Sequence, residues 1–568
     1  MNWLDARKRI YYIISFILVL LFIVLIYSQA PKFRLVSPRL PTELSQVPYY
    51  AWCSFYRMLI AYALALAFAL SYGYVAATNP RAEKLMLPAL DIFQSIPVLG
   101  LFPAAIYFFI QFLHGRIGVE LAIISLIFTS QAWNMAFGVY ESLTTLPEDS
   151  KEAVTSYGVR GWLKFREFLF PACIPKLVYN SIMSWAGGWY ALTACEILTL
   201  GRDKYKLPGL GSFLATAAET GKVELVLVGL GALITIIVCM DIFLWRPLSV
   251  WAEKFRYELA VSTTSPEGSR VLDWIRDQTL LTRWARRVGR PIDAIFDRLS
   301  HFLILDSQKS VAAKARLLTW IKRLALWLFI LMVAYGSWRA TRTLIYTLRK
   351  PWPDQAVLIP AAILASGLRM SVAYVLALAW TLPLAIWVGQ RERLAKIATP
   401  LAEIGVSIPA PAFYPLLVPL IPYTTMNVPA TLIILTGMQG YLLFNLIAGV
   451  RNIPGDLKEV VQSFGLGKLN RWRQLIIPAI VPSLITGSIT AWGGGWNAII
   501  FSEYMEYKEV THSVLGIGAL LDEAVYKTGD TTMILLSLLS MVTVIVLINR
   551  LFWRRLYFQA MAKYKIEY

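Results

Sequence analysis

Apolar runs long enough to cross a bilayer recur along this chain of 568 residues. Only 16% of the residues are charged, against about 25% in soluble domains. A helix needs about 20 mostly apolar residues to span the hydrocarbon core, so the sequence predicts an all-α polytopic membrane protein with about 12 transmembrane helices. The runs lie near 10–27, 52–77, 88–112, 119–140, 172–199, 224–245, 320–337, 357–388, 399–421, 428–450, 479–502 and 532–552.

The second half of the sequence repeats the first. R-M-L-I-A-Y-A-L-A-L-A at 57–67 matches R-M-S-V-A-Y-V-L-A-L-A at 369–379. A slightly smaller offset then aligns Pro147 with Pro454, Glu152 with Glu459, Gly158 with Gly465, Pro171 with Pro478, Trp185 with Trp492, Trp189 with Trp496 and Glu196 with Glu503. Six spans per half give both halves the same orientation, so the repeat is parallel rather than inverted. We predict a first half at 1–247, a linker at 248–318 and a second half at 319–568.

The distribution of basic residues predicts the orientation. Lys and Arg cluster at 7–9, in the loops after the second span of each half, and in the segment at 246–318. These regions fall on one side, which the positive-inside rule assigns to the cytoplasm together with both termini. The net charge of +19 therefore indicates topology and not a nucleic-acid partner. The linker is either a set of amphipathic helices on the membrane surface or a solvated connection.

A cytoplasmic loop of the same design follows the fourth span in each half, at 147–170 and 454–477. Each loop begins with a proline suited to the first turn of a helix, followed by acidic residues that the helix dipole favours. Gly158 and Gly465 then provide a corner that tolerates positive φ, before a basic amphipathic stretch re-enters the membrane. A short helix, a glycine corner and a second helix predict a rigid protrusion. Matching protrusions indicate a shared partner surface.

These loops resemble the EAA loop of ABC importer permeases, in which a Glu-Ala-Ala triplet is followed by Gly and then by Pro. Glu152, Ala153 and Gly158 fit the first copy, with a valine in place of the second alanine. Glu459, Val460 and Gly465 fit the second copy, with valines in place of both alanines. The resemblance implies a type I importer permease whose loops dock into cytoplasmic ATPases. It implies two copies of an ABC ATPase, which would bind ATP and Mg²⁺, and a periplasmic or lipid-anchored solute-binding protein. It also implies the inner membrane of a prokaryote, with lipid around the spans.

A narrower resemblance rests on the fifth span. S-W-A-G-G-W-Y-A-L-T-A-C-E at 184–196 and A-W-G-G-G-W-N-A-I-I-F-S-E at 491–503 are similar to the permeases for nitrate, sulfonates, taurine and related anions. The glycine pairs at Gly209-Leu210-Gly211 and Gly516-Ile517-Gly518 fit the same group. The similarity covers most of each half but neither the linker nor the outer loops. It implies a fused, duplicated permease that carries a small anion such as nitrate, sulfonate, taurine or bicarbonate.

The two fifth spans hold the candidate pathway residues. Small residues let membrane helices approach closely, so Gly187, Gly188, Gly494 and Gly495 predict either contact between the fifth spans or bending as a gate. The tryptophans lie four residues apart on one helix face, where they either plug the pathway or are ordinary aromatic residues that face lipid or pack against other helices. They are Trp185, Trp189, Trp492 and Trp496.

An ionisable residue inside a membrane is costly unless it is paired or hydrated. Glu196 and Glu503 are therefore predicted to act in gating or structural pairing, unless water reaches them at the outer interface. Arg57 and Arg369 either attract an anion, pair with these glutamates or extend to the interface.

The sequence contains no Walker A motif and no set of catalytic residues. It also contains no paired cysteine or metal-type spacing, so we predict neither an enzyme nor a metal or cofactor site. The alternative is a twelve-helix secondary transporter driven by an ion gradient, which explains the duplication but not the paired loops.

Overall fold

The computed structural model describes residues 43–95, 98–101, 116–159, 161–197, 207–220, 222–255, 349–417, 425–451, 467–507 and 510–564, together with isolated positions between these ranges. The chain divides into two compact units. The smaller unit holds the described residues of Glu141–Val178 and Arg246–Pro353. The larger unit holds those of Phe33–Tyr140, Tyr179–Trp245 and Asp354–Tyr568, and therefore contains spans of both repeats. The predicted first spans at 10–27 and 320–337 and most of the linker lie outside the described residues.

The first half is helical throughout its described part. Its α-helices are α1 (Val47–Thr78), α2 (Pro80–Ser95), α3 (Arg116–Thr144), α4 (Glu148–Ser156), α5 (Gly161–Lys164), α6 (Phe170–Ile197), α7 (Leu210–Glu219), α8 (Val223–Met240) and α9 (Arg246–Ala252). A 3₁₀ turn at Val98–Leu101 follows α2.

The second half repeats this order, and its described residues include a small hairpin. Its helices are α10 (Ile359–Gly389), α11 (Glu392–Ser407), α12 (Ala410–Leu417), α13 (Asn427–Arg451), α14 (Lys468–Arg471), α15 (Ile477–Ser502), α16 (Ile517–Glu523), α17 (Thr531–Ile548) and α18 (Arg554–Tyr564). Strands β1 (Tyr504–Tyr507) and β2 (Val510–Ser513) pair antiparallel, with Tyr504 opposite Ser513. The hairpin lies between α15 and α16.

Within the described residues, seven helical segments are long and apolar enough to cross a membrane. They are Leu44–Thr78, Ile117–Thr144, Val223–Phe255, Asp354–Gly389, Asn427–Arg451, Trp472–Ser502 and Thr532–Ala560. Six of the predicted runs, the second, fourth and sixth of each half, overlap these segments. The segment Trp472–Ser502 overlaps the fifth run of the second half, and its counterpart in the first half is the 28-residue helix α6. The expected all-α polytopic architecture is confirmed.

The third apolar run of the second half is not one continuous helix. α11 ends at Ser407 and α12 begins at Ala410. Between them Ile408 has extended backbone angles, φ −75° and ψ 115°. The residue before a proline avoids the helical region because the ring crowds its backbone, so Pro409 accounts for the break.

π-helical turns recur at equivalent positions in the two halves. Phe165–Leu169 and Trp472–Ile476 lead into the fifth spans, while Asp241–Trp245 and Asn549–Trp553 follow the sixth spans. Such a turn inserts one residue into the helical ladder and redirects the side chains that follow it. Their recurrence shows that the two halves share local backbone detail as well as span order.

Candidate functional site

A buried cluster around Glu196 ties the end of the fifth span to α1 and α7 in the first half. Ser54 Oγ donates to both Glu196 oxygens, at 2.8 and 2.9 Å. Arg57 Nη1 lies 2.6 Å from Glu196 Oε1, and the backbone N–H of Gly211 donates to Oε2 at 2.8 Å. Because Leu210 N–H also donates to Ser54 Oγ, the first turn of α7 is held at two points. We call this set the first clamp.

Arg57 has no free guanidinium edge in the first clamp. Its Nε and Nη2 atoms bind the two oxygens of Glu120, at 2.6 and 2.9 Å. Nη1 also donates to the carbonyl oxygen of Pro208 at 2.8 Å. The Arg57 and Glu196 side chains are fully buried. Removing charges from water costs several kcal/mol per ion, so only such complete pairing makes the arrangement tolerable.

The second half builds an equivalent cluster, the second clamp. Ser366 Oγ and Arg369 Nη2 both donate to Glu503 Oε1 at 2.6 Å. Arg369 Nη2 also reaches the carbonyl oxygen of Leu515 at 2.6 Å, and the N–H of Gly518 donates to Glu503 Oε2 at 2.9 Å. The arginines therefore pair with the glutamates, one of the alternatives left open by the sequence. A gating role for these residues stays a prediction.

The glycine pairs explain how the glutamates fit. A Cβ atom on Gly209 would collide with the Glu196 carboxylate, and one on Gly516 would collide with that of Glu503. At Gly211 an added Cβ would lie 2.6 Å from the carbonyl oxygen of Thr193. Glycine is needed here for close approach and not for an unusual φ.

The two clamps differ at one partner. Where Arg57 binds the Glu120 carboxylate, Arg369 meets the Asn427 amide, and only its Nη1 donates to Oδ1, at 3.0 Å. The buried Arg369 Nε has no hydrogen-bond partner among the described residues. This difference between the halves was not predicted, although the aligned positions of Glu120 and Asn427 were available in the sequence.

The tryptophans sit in aromatic clusters that also recur. The Trp185 ring packs edge-on against the rings of Tyr62 and Trp245, with ring centres 5.5 and 5.7 Å apart. The counterparts in the second half form the same contacts, since the ring centre of Trp492 lies 6.1 Å from that of Tyr374 and 5.8 Å from that of Trp553. Trp189 and Trp496 are buried. The clusters pack the second, fifth and sixth spans of each half together, and a role as a pathway plug stays a prediction.

The fifth-span glycines approach neighbours in their own half. A Cβ on Gly188 would contact the side chains of Gln131 and Met58, and one on Gly495 would lie 3.2 Å from Met370 Sδ. A Cβ on Gly494 would collide with the carbonyl oxygen of Gly437, whereas one on Gly187 would have only Ser130 O within 4 Å, at 3.7 Å. Among the described residues, the nearest neighbours of these glycines lie on the second and fourth spans of the same half and not on the other fifth span. Bending of the fifth span as a gate stays a prediction.

The fifth spans meet at a different pair of residues. Tyr190 and Asn497 directly follow the aligned Trp189 and Trp496. The Tyr190 hydroxyl donates to the backbone oxygen of Asn497 at 2.6 Å. The Asn497 side-chain oxygen accepts the N–H of Val98, also in the first half, at 3.0 Å. Neither residue was singled out from the sequence, because a tyrosine and an asparagine at equivalent positions resemble ordinary divergence.

The first coupling loop has the predicted helix and corner. α4 ends before Tyr157, and Gly158 has φ +71°, the left-handed region that glycine tolerates. Glu152 and Ala153 are exposed, and Tyr157 is 85% exposed. In the second loop Phe464, the counterpart of Tyr157, is 77% exposed. Glu459, Val460 and Gly465 lie outside the described residues.

Comparison with known proteins agrees with this architecture. The family model for the binding-protein-dependent transport system inner membrane component matches residues 65–244 and again 381–557, more than half of the chain. The chain belongs to this family. The two matches confirm the tandem duplication and the resemblance to importer permeases. The chain is therefore a multi-pass inner-membrane component of a transport system and not an enzyme.

Curated relatives carry transport names. The nitrate import permease protein NrtB of Leptolyngbya laminosa is 26% identical over 189 residues, which is 33% of this chain and 64% of the relative. The bicarbonate transport system permease protein CmpB of Synechococcus elongatus is 26% identical over 187 residues, with the same two coverages. ProW of Escherichia coli, a glycine betaine/proline betaine permease protein, is 29% identical over 107 residues, 19% of this chain and 29% of the relative. The chain spans less than two thirds of the length of each.

Proposed function

We propose that this chain is the fused permease subunit of an ATP-driven ABC importer and carries a small anion by alternating access. The observation that carries the proposal is the pair of exposed aromatic tips, Tyr157 and Phe464, on matched loops. Large exposed apolar side chains on a protrusion mark an interaction site. Two such tips fit two ATPase copies, one for each half.

The partner ATPases would supply ATP binding and hydrolysis, with Mg²⁺, because this chain has no Walker A sequence. Glu152 would contribute charge to the docking surface beside Tyr157, and Glu459 is its counterpart in the sequence of the second loop. A solute-binding protein at the outer face would deliver the cargo. The family description, which names binding-protein-dependent transport, supports the solute-binding protein as a partner.

The fifth span is suited to carry motion from the loop to the pathway. In the second half α15 begins at Ile477, directly after a π-helical turn that ends the coupling loop. Asn497 lies farther along the same helix, about 30 Å from its start at 1.5 Å per residue. Displacing the loop would therefore displace Asn497 relative to Tyr190, and breaking that contact would separate the halves on the outer side.

The named relatives favour nitrate or bicarbonate as cargo. The paired loops argue against an ion-gradient transporter, which has no need of matched docking surfaces. Both clamp arginines are engaged by their glutamates, so most of their hydrogen-bonding capacity serves structure.

The proposal is tested by purifying the tagged chain from its native membrane in mild detergent and measuring what co-purifies. We expect two copies of a Walker-motif ATPase per chain, lost when Tyr157 and Phe464 are both changed to Ala. Glu152→Arg combined with Glu459→Arg should act in the same way. The control is Glu224→Arg, an exposed acidic residue in the first turn of α8. A chain that purifies alone and takes up solute only under an ion gradient would overturn the proposal.

A further inference from the structure

We propose that Asp522 binds a proton while the two halves are closed on the outer side, and releases it when they separate. Asp522 belongs to α16, in the connection between the fifth and sixth spans of the second half. The proposal rests on the proposed alternating access for its link to the outer closure. The proton site itself is argued from the burial of Asp522 and from its neighbours.

Asp522 is a buried carboxyl group without a basic partner. The residue is 6% exposed. Among the described residues its side chain has no hydrogen bond or ion pair, and the charge that acts on it is that of the Glu503 carboxylate. Burial therefore raises the pKa of Asp522 well above its ordinary value, and Glu503 raises it further. A buried carboxyl group in this position avoids the cost of an isolated charge by taking up a proton.

The packing of α16 explains why Asp522 is buried. Gly518 faces α15 so closely that an added Cβ would lie 2.6 Å from the carbonyl oxygen of Ile499. Asp522 follows Gly518 by four residues, which places it one turn later on the same face of the helix. Asp522 therefore lies on the face of α16 that packs against α15, the helix that Glu503 ends.

The bases near α16 are already paired with other carboxylates. Helix α16 packs against α10, α15, α17, β1 and the π-helical turn that follows it. On these elements Arg369 binds Glu503, and Lys527 lies 3.5 Å from the half-exposed Glu523. The described titratable groups at this end of the second half, together with the nearby phenol of the first half, are Arg369, Glu503, Tyr504, Glu523, Lys527, Asp530 and Tyr190. Neither base forms an ion pair with Asp522 in the described part of the chain.

Asp522 also lies where the two halves meet. The Tyr190 hydroxyl of the first half donates to Asn497 on α15, and the Asp522 carboxyl group lies within electrostatic range of that hydroxyl. Strand β1, which packs against α16, also contacts α7 of the first half. Separating the halves would therefore admit water to Asp522, and hydration favours the ionised carboxylate.

The direction of the pH effect follows from the two states of Asp522. In the closed chain its pKa is raised, whereas a hydrated Asp titrates near about 3.9. The closed state therefore binds the proton more strongly, and acid favours closure. Between the two pKa values, each unit rise in pH shifts the equilibrium toward the open state by up to about tenfold.

Infrared difference spectroscopy of the purified full-length chain tests the proton site directly. At neutral pH we expect a carbonyl band of a protonated carboxylic acid that is missing from Asp522→Asn and retained in Glu523→Gln, the matched control on the same helix. Asp522→Ala installs the residue found at the aligned position of the first half, Ala215, and should also lack the band. Identical spectra of the wild type and Asp522→Asn in this region would overturn the proposal.

Thiol labelling tests the link to the outer closure. Gly493→Cys, in a chain without its native cysteines, is labelled from outside with a membrane-impermeant reagent between about pH 6 and 8, above the ordinary pKa of a carboxyl group. Dividing the rate with Asp522 by the rate with Asp522→Asn at the same pH cancels the ionisation of the thiol. We expect this ratio to rise with pH, by up to about tenfold per unit. A ratio that does not change with pH would overturn release of the proton on opening.

The two measurements need no ATPase, so failure of this proposal is distinguishable from failure of the importer. A chain that shows the infrared band and the pH-dependent ratio but purifies without an ATPase would refute the importer and keep the proton site. A chain that binds two ATPases and lacks the band would refute the proton site and keep the importer.

Discussion

Tyr190 donates a hydrogen bond of 2.6 Å to the backbone oxygen of Asn497, the residue at the equivalent position of the other half. A symmetric pair of chains would place identical residues at both positions. Here the Tyr190 phenol meets the Asn497 backbone, and the side-chain oxygen of Asn497 accepts the N–H of Val98. Fusing two halves into one chain permits this asymmetric contact at the point where the fifth spans approach each other.

We expect Tyr190→Phe to weaken the outer closure between the halves, because it removes one hydrogen bond of about 1 kcal/mol and keeps the ring. The reporter is Gly493→Cys in a chain whose four native cysteines are replaced. Gly493 lies one turn before Asn497, whose Nδ2 donates to its carbonyl oxygen at 3.1 Å, and a Cβ there meets no atom within 4 Å. A membrane-impermeant thiol reagent added from outside should label this cysteine several times faster in the Tyr190→Phe chain.

Gly231→Cys is the control for this experiment. It also lies at an exposed position of a membrane span with open space around its Cβ. The labelling rate of Gly231→Cys should be the same in the chain with Tyr190 and in the Tyr190→Phe chain. Equal rates for Gly493→Cys in the two backgrounds would show that the Tyr190 hydroxyl does not close the pathway.

A second prediction concerns the glycines that contact the clamps. Gly209→Ala and Gly516→Ala should each destabilise the chain, because the added Cβ collides with Glu196 or Glu503. Overpacking of a well-filled site costs about 1–3 kcal/mol, and displacing a buried paired carboxylate costs more. Thermal unfolding in detergent should show a lower midpoint for both variants. Gly231→Ala should leave the midpoint unchanged, and an equally small effect of Gly209→Ala would mean that the clamp adjusts freely.

A third prediction concerns the crossing of the fourth and fifth spans, where the two halves carry a glycine and an asparagine in opposite order. In the first half Gly138 on the fourth span faces Asn180 on the fifth, and in the second half Asn445 faces Gly487. Each pair places one asparagine and one glycine at the same crossing, in opposite order. Gly138→Asn alone should destabilise the chain by about 1–3 kcal/mol through overpacking.

The double variant Gly138→Asn with Asn180→Gly reproduces the arrangement of the second half. It should recover most of the midpoint lost by Gly138→Asn, and the coupling energy of the resulting double-mutant cycle should be clearly non-zero. Independent, additive effects of the two substitutions would refute the complementarity of this crossing.

The sequence was most informative where residue types repeat. Apolar runs predicted the spans, and the spacing from Glu152 to Gly158 predicted the loop. The aligned Arg57 and Arg369 made pairing with the glutamates one of the predicted alternatives, and this pairing is observed. A repeat pattern does not encode which neighbour a small residue faces. Gly188 and Gly495 therefore contact the second and fourth spans, where contact between the fifth spans was one of the two alternatives. The asymmetric pairs were missed for a related reason. Tyr190 with Asn497, and Glu120 with Asn427, acquire meaning only when their partners in space are known.

A final prediction concerns the corner of the first coupling loop. Gly158 has φ +71° and open space around its Cβ, so Gly158→Ala changes backbone strain without a steric clash. The left-handed conformation costs a residue with a Cβ about 1–2 kcal/mol. We expect the strained loop to weaken ATPase association by severalfold, measured by titrating the purified ATPase into the chain. Gly158→Asn should restore part of the affinity, because Asn tolerates this region better than Ala.

Gly529 supplies the matched control. Its φ is +63°, it also has open space around its Cβ, and it lies in the connection before the last span, not in a coupling loop. Gly529→Ala therefore introduces similar strain at a site with no proposed role in docking, and ATPase affinity should be unchanged. If both substitutions lower the affinity equally, the effect reflects general loss of stability. If neither does, the Gly158 corner does not set the shape of the docking surface.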